Sequence, residues 1–179
     1  LFLFLLFGLT FSPDGTMMFV NEKGTGDHLH QYSLNKSFDL SSGANFIRSV
    51  DLETQTANEA QARGITFNQN GTRLFMVGSG FNEINQYTLS EGFNISTASF
   101  DGGVNRSTNP NGIDFSPDGL RMFILDTRLD LVQEHHLPCP FNLFAGKCQS
   151  ITEDSDRAGI AEAQMELAKR SINISTNSV

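Results

Sequence analysis

The chain has 179 residues, 39% of them hydrophobic, and a net charge of −8, so it is long enough to bury the core of one ordinary domain. Its 12 Lys and Arg are scattered among 20 Asp and Glu, which excludes nucleic acid as a partner, because phosphate binding needs clustered positive charge. Sixteen Phe against 2 Tyr and no Trp is an unusual aromatic balance, and most of the Phe recur at matched positions.

Residues 1–7 are all apolar and form a truncated segment, either the remnant of a signal region or a strand of a preceding repeat. They are too few to span a bilayer, which takes about 20 residues. The first repeat follows: Gly8-Leu9-Thr10-Phe11, the turn Ser12-Pro13-Asp14-Gly15, the apolar run Met17-Met18-Phe19-Val20, then Gln31-Tyr32-Ser33-Leu34 and Phe38-Asp39-Leu40. The second reads Gly64-Ile65-Thr66-Phe67, Asn68-Gln69-Asn70-Gly71, Leu74-Phe75-Met76-Val77, Gln86-Tyr87-Thr88-Leu89 and Phe93-Asn94-Ile95. The third reads Gly112-Ile113-Asp114-Phe115, Ser116-Pro117-Asp118-Gly119, Met122-Phe123-Ile124, Glu134-His135-His136-Leu137 and Phe141-Asn142-Leu143.

The turn glycines are 56 and 48 residues apart. Periods of this size built from short strands indicate a propeller, solenoid or array. Pro13 and Pro117 preset φ, Asp14, Asn70 and Asp118 favour the turn, and Gly15, Gly71 and Gly119 accept a positive φ. The run after each turn is apolar on both faces, as in a strand between two sheets. The next strand alternates in the first two copies, as in a strand with one wetter face. Fourth strands are expected near 46–50, near 97–100 and, in the third copy, at 148–151. The expected fold is all-β: three four-stranded antiparallel blades of a partial β-propeller over 8–151 (8–52, 64–103 and 112–151). Three blades at roughly 45 residues each fall short of a closed ring, which takes four to eight.

After residue 152 the composition changes. Residues 155–172 are rich in Ala, Glu, Gln and Leu, with acids before them and Lys169 and Arg170 at the end, which predicts a C-terminal α-helix. An Asn/Ser/Thr-rich linker follows to 179. Two cysteines, Cys139 and Cys148, are spaced to close a short surface loop as a disulfide, and two free thiols are the alternative.

The pattern Gly-x-x-Phe-Ser-Pro-Asp-Gly with Met-Phe-Val, Gln-Tyr-x-Leu and Phe-Asp-Leu resembles the propeller repeats of extracellular bacterial proteins and is similar, more loosely, to the YVTN and WD-repeat classes. The Gly-His and Trp-Asp pairs of true WD repeats are absent. The tail from Ile151 resembles the segment that joins such repeats to an outer-membrane barrel in certain autotransporters. That resemblance implies further blades and a membrane barrel elsewhere in the protein.

Chemistry-bearing residues are sparse. His28 and His30 share one face of a strand, as two metal ligands must. Pairing on Gln-Tyr sets Ile84 against His30, so no ligand set recurs and no metal is expected. Asp126, Asp130 and Glu134 lack a calcium-loop pattern and read as solvated loop charge. No nucleophile elbow or phosphate-binding glycine loop occurs, so no catalytic residue and no cofactor is expected. The expected function is a non-enzymatic module for binding a protein or glycan, secreted or on the outer membrane of a Gram-negative bacterium. Two alternatives stand beside it: part of a lactonase-like propeller hydrolase, whose site would gather groups from several blades, and an intracellular scaffold.

Overall fold

A computed structural model describes residues 5–23, 28–52, 62–78, 80, 82–105, 107, 109–144 and 170–173. The first sheet holds β1 (Leu5–Phe11), β2 (Met17–Lys23), β3 (His28–Leu34) and β4 (Ala44–Asp51). The second holds β5 (Ala62–Phe67), β6 (Arg73–Gly78), β7 (Glu83–Leu89) and β8 (Ala98–Asn105). The third holds β9 (Pro110–Phe115), β10 (Arg121–Asp126), β11 (Leu131–His136) and β12 (Arg170–Asn173). All pairs are antiparallel and each sheet runs in chain order from first to fourth strand. The first strands β1, β5 and β9 pack against one another, so they are the inner strands and the sheets are consecutive blades.

The repeat consists largely of the residues that fill the two seams between blades. Phe19, Leu29 and Leu52 of the first blade meet Ile65, Leu74, Met76 and Tyr87 of the second. Phe75, Val77 and Ile84 of the second meet Ile113, Met122 and Ile124 of the third. Phe19 packs against Phe67 in a tilted pair with centroids 4.6 Å apart, and Phe75 against Phe115 likewise at 4.4 Å. The middle blade is covered on both faces, which is why Leu74-Phe75-Met76-Val77 is apolar throughout and all four are buried.

The six-residue interval between Tyr32 and Phe38, and its counterparts, has a backbone cause. Phe38, Phe93 and Phe141 have φ of 55°, 60° and 51°, in the left-handed region that a bulky residue rarely enters. Each donates its N–H to the carbonyl of Gly15, Gly71 or Gly119, at 3.0, 3.0 and 2.9 Å. Each ring then lies where a Cβ on that glycine would stand, 2.2 to 2.4 Å away. The glycine is thus required twice, for its own positive φ and for the ring that covers it. The strained Phe persists because ring packing and hydrogen bond hold it.

The third blade departs from expectation. Residues 148–151 and 155–169 lie outside the described residues, so the predicted strand and most of the predicted helix do too. Residues 170–173 correct the helix prediction: they form β12, paired with β11. Ile172 stands opposite Val132 in register, as Val50 stands opposite Leu29 and Val104 opposite Ile84. Backbone pairing on the edge of β11 outweighs helix propensity, which is a weak preference that tertiary pairing overrides.

Candidate functional site

The strands run between two faces of the blades. One face carries the tight turns. There Asp14 Oδ1 accepts from the Ser12 hydroxyl and from the Thr16 N–H at 3.0 Å. Asp118 Oδ1 accepts from the Ser116 hydroxyl and from the Leu120 N–H at 3.0 Å. Asn70 Oδ1 does the same for the Thr72 N–H at 3.1 Å. The Ser12 hydroxyl, then the Thr16 N–H, hold the Asp14 carboxyl below its ordinary value of 3.8. The Ser116 hydroxyl, then the Leu120 N–H, do so for Asp118. Gln69 stands where the other turns have Pro13 and Pro117, and its amide donates to the Pro117 carbonyl at 2.7 Å, tying the second turn to the third. A shallow cavity between the inner strands at this face is lined by Thr10, Thr66 and Asp114, which occupy one position in the three repeats.

The opposite face does not repeat. Its inner end is built around Gly8 and Gly64. A Cβ on Gly8 would lie 2.2 Å from both the Arg63 carbonyl and Asn21 Oδ1, and one on Gly64 would lie 2.8 Å from Gly112 Cα and 2.9 Å from the Asn111 carbonyl. Neighbouring inner strands therefore touch backbone to backbone, and only glycine permits it. The residue before each glycine is Phe7, Arg63 or Asn111. Arg63 Nη1 reaches across the seam to Asn109 Oδ1 at 3.3 Å and Asn111 Oδ1 at 3.5 Å. It forms no ion pair with a carboxylate among the described residues. Two neutral amide oxygens orient the guanidinium, and no carboxylate among the described residues neutralises its charge.

Asn21 Oδ1 and the Arg63 backbone carbonyl both lie against Gly8. The Asn21 side chain is 1% exposed, yet neither amide atom has a hydrogen-bond partner among the described residues. Buried amides without a partner are uncommon and mark a place where water or a ligand belongs. Farther out on the same face, Glu22 Oε2 lies 3.1 Å from His30 Nε2, and the His28 and His30 rings stack with centroids 6.2 Å apart. The Asp126 carboxylate is fully buried, accepting from the Ser107 hydroxyl and from the N–H groups of Arg128 and Leu129 at 2.9 and 3.0 Å.

Two sequence expectations are corrected here. Strand register sets His30 against Asn85 and Gln133, because their partners are Val20, Met76 and Ile124. His30 and Asn85 each directly precede the Gln of their Gln-Tyr pair, so the match to Ile84 is off by one residue. The position is therefore polar in all three blades, and His30 Nδ1, Asn85 Oδ1 and Gln133 Nε2 each lack a partner among the described residues. Asp126 is not solvated loop charge but the buried organiser of a turn. Among the described residues, no group of three or more His, Cys, Asp or Glu is placed to hold a metal ion. Cys139 is buried and disulfide-bonded, whereas Cys148 lies outside the described residues. Arg63, Asn21, Asn109 and Asn111 escaped the sequence reading; the one available signal was that the residue before the inner glycine changes character in each copy.

Neither family patterns nor curated sequences match this chain. Solved structures do. A candidate 6-phosphogluconolactonase of Bacteroides uniformis matches with a TM-score of 0.55 at 14% identity, over 75% of this chain and 37% of its own. The periplasmic gluconolactonase of Pseudomonas aeruginosa matches with a TM-score of 0.53 at 16% identity, over 72% of this chain and 34% of its own. Hydrazine synthase of Kuenenia stuttgartiensis matches with a TM-score of 0.55 at 13% identity, over 74% of this chain and 45% of its own. At these identities the likeness shows the fold, which is that of β-propeller proteins, and this chain spans a third to a half of their lengths. It lends nothing to the autotransporter or YVTN resemblances. The expectation of a non-enzymatic protein is corrected: among these neighbours are proteins named as gluconolactonases.

Proposed function

We propose that these blades belong to a lactonase-like propeller hydrolase, with the site at the glycine-lined inner end of the unrepeated face. The observation that carries the reading is Arg63, aimed by Asn109 and Asn111 and unneutralised by any described carboxylate. Hydrolysis of a cyclic ester passes through a tetrahedral intermediate whose carbonyl oxygen becomes an oxyanion, and a fixed guanidinium at that point stabilises it. The product is a carboxylate, which Arg binds in fork geometry. Asn21 offers an amide donor and acceptor to the hydroxyls of a sugar-derived ring. The names of two structural neighbours support this substrate class. The whole activity belongs to a longer ring than these three blades, so the blades beyond them supply the remaining groups.

The reading extends to location outside the cytoplasm. The oxidised Cys139 supports it, because disulfides persist in oxidising compartments, and one structural neighbour is periplasmic. We propose Cys148 as the partner of Cys139; non-reducing peptide mapping that finds two free thiols would sink both statements. The functional test is acid release from glucono-δ-lactone and its 6-phosphate. Release above the spontaneous rate, lost in Arg63→Ala, is the expected result, and no acceleration with either lactone overturns the reading.

A further inference from the structure

Arg63 takes its aim in part from Asn109, and an amide can face either way. The amide oxygen accepts, whereas its nitrogen only donates, as does every nitrogen of a guanidinium. Turned over, Asn109 would set its NH2 group against the Arg63 donors and lose the bond. Thr127 fixes the direction. Asn109 Nδ2 donates to Thr127 Oγ1 at 3.0 Å. The Thr127 hydroxyl proton is committed elsewhere: Oγ1 donates to the Asn109 backbone carbonyl at 3.4 Å, where the Thr127 N–H also donates at 3.2 Å. The hydroxyl therefore meets the amide with its lone pairs and accepts from Nδ2. That leaves Asn109 Oδ1 facing Arg63 Nη1, at 3.3 Å.

Thr127 is held in turn from inside the blade. Asp126, the residue before it, is fully buried on the face of β10 that carries Met122 and Ile124. Its Oδ2 accepts from the Ser107 hydroxyl and from the Asn109 N–H at 3.4 Å, and its Oδ1 from the N–H groups of Arg128 and Leu129. One carboxylate thus ties the loop that carries Asn109 to the turn that carries Thr127. Burying a carboxylate is costly unless it is hydrogen-bonded throughout. Strand register sets Gly78 of the second blade at the same place, so a blade does not need this carboxylate to fold. All these contacts lie within the third blade or across its seam with the second.

We infer that Thr127 is a positioning residue for Arg63: its hydroxyl, anchored through Asp126, keeps the oxygen end of Asn109 turned toward the guanidinium. The inference rests on the hydrolase reading for what Arg63 does, and adds to it what holds the guanidinium ready. A donor fixed in place before the oxyanion forms lowers the barrier more than it tightens substrate binding. The signature is a change in kcat with KM unmoved, which a merely structural role would not give.

The test compares Thr127→Val, which removes the hydroxyl at nearly constant volume, with Thr127→Ser, which keeps it. With glucono-δ-lactone, Thr127→Val should lower kcat about 10-fold and leave KM within about twofold, and Thr127→Ser should restore the parental kcat. Thr127 is exposed, so both variants should melt within about 2 °C of the parent. A parental kcat in Thr127→Val, or an equal fall in both variants, would overturn the inference. A second readout needs no catalysis: hydrogen exchange of the Asn109 side-chain amide, followed by NMR. It should be slow in the parent and in Thr127→Ser and about 10-fold faster in Thr127→Val. If the parent hydrolyses no lactone, the hydrolase reading falls and this exchange alone decides the positioning. Equal rates in the parent and Thr127→Val would overturn it.

Discussion

The two faces of these blades are ends of the same strands, yet they are built on opposite rules. At the turn face every copy makes the same bonds: Phe38, Phe93 and Phe141 each donate to a turn glycine and cover it. At the other face equivalent positions diverge: Phe7, Arg63 and Asn111 at one; Glu22, Gly78 and Asp126 at another; His28, Glu83 and Leu131 at a third. Repetition marks what folding needs from each blade. Divergence marks where a blade is free to do something its neighbours do not, and that is where Arg63 and Asn21 lie, the one without a carboxylate and the other without an amide partner among the described residues.

The comparison breaks first at the turn face if it is wrong. Gly71→Ala forces a Cβ into the Phe93 ring, 2.4 Å away, at a φ of +70°. Strain and overpacking together should cost about 3 kcal/mol, seen as a lower melting temperature. Replacing Arg63, whose partners are two long hydrogen bonds on a half-buried surface, should change stability by only about 0.5 kcal/mol. Comparable losses at both positions would erase the distinction between the faces.

A smaller effect separates the turns themselves. Asp14 and Asp118 have depressed pKa values in the folded chain. Their stabilisation is complete above the ordinary value of 3.8 and is lost as pH falls through the depressed folded value. Asn70 in the middle turn does not titrate. The double variant Asp14→Asn, Asp118→Asn should therefore lose less stability than the parent between pH 5 and about pH 2. Melting curves over that range check it, and parallel curves would refute it.

Much of the fold was legible in the sequence because its signals are local. The Ser-Pro-Asp-Gly turns and the six-residue Tyr-to-Phe interval follow from contacts within one repeat, and the doubly apolar second strands record burial between blades in a pattern that lies within a few residues. What failed depends on distant pairing. Residues 170–173 have helix-favouring neighbours, and only the free edge of β11 turns them into a strand. The match of His30 to Ile84 is a different matter, a one-residue slip, since His30 and Asn85 each directly precede the Gln of their Gln-Tyr pair and strand register agrees. The candidate site was nearly invisible because it depends on distant pairing: Arg63 and Asn111 lie 48 residues apart and meet where Gly64 lets their inner strands touch.

The most direct test of the account measures two quantities on one pair of proteins: melting temperature and kcat/KM for glucono-δ-lactone, for the parent and for Arg63→Ala. Loss of one well-aimed charged donor should lower kcat/KM by about 100-fold and leave the melting temperature within about 2 °C. An unchanged kcat/KM, or a fall that merely follows a loss of stability, would contradict the claim that the unrepeated face carries the chemistry.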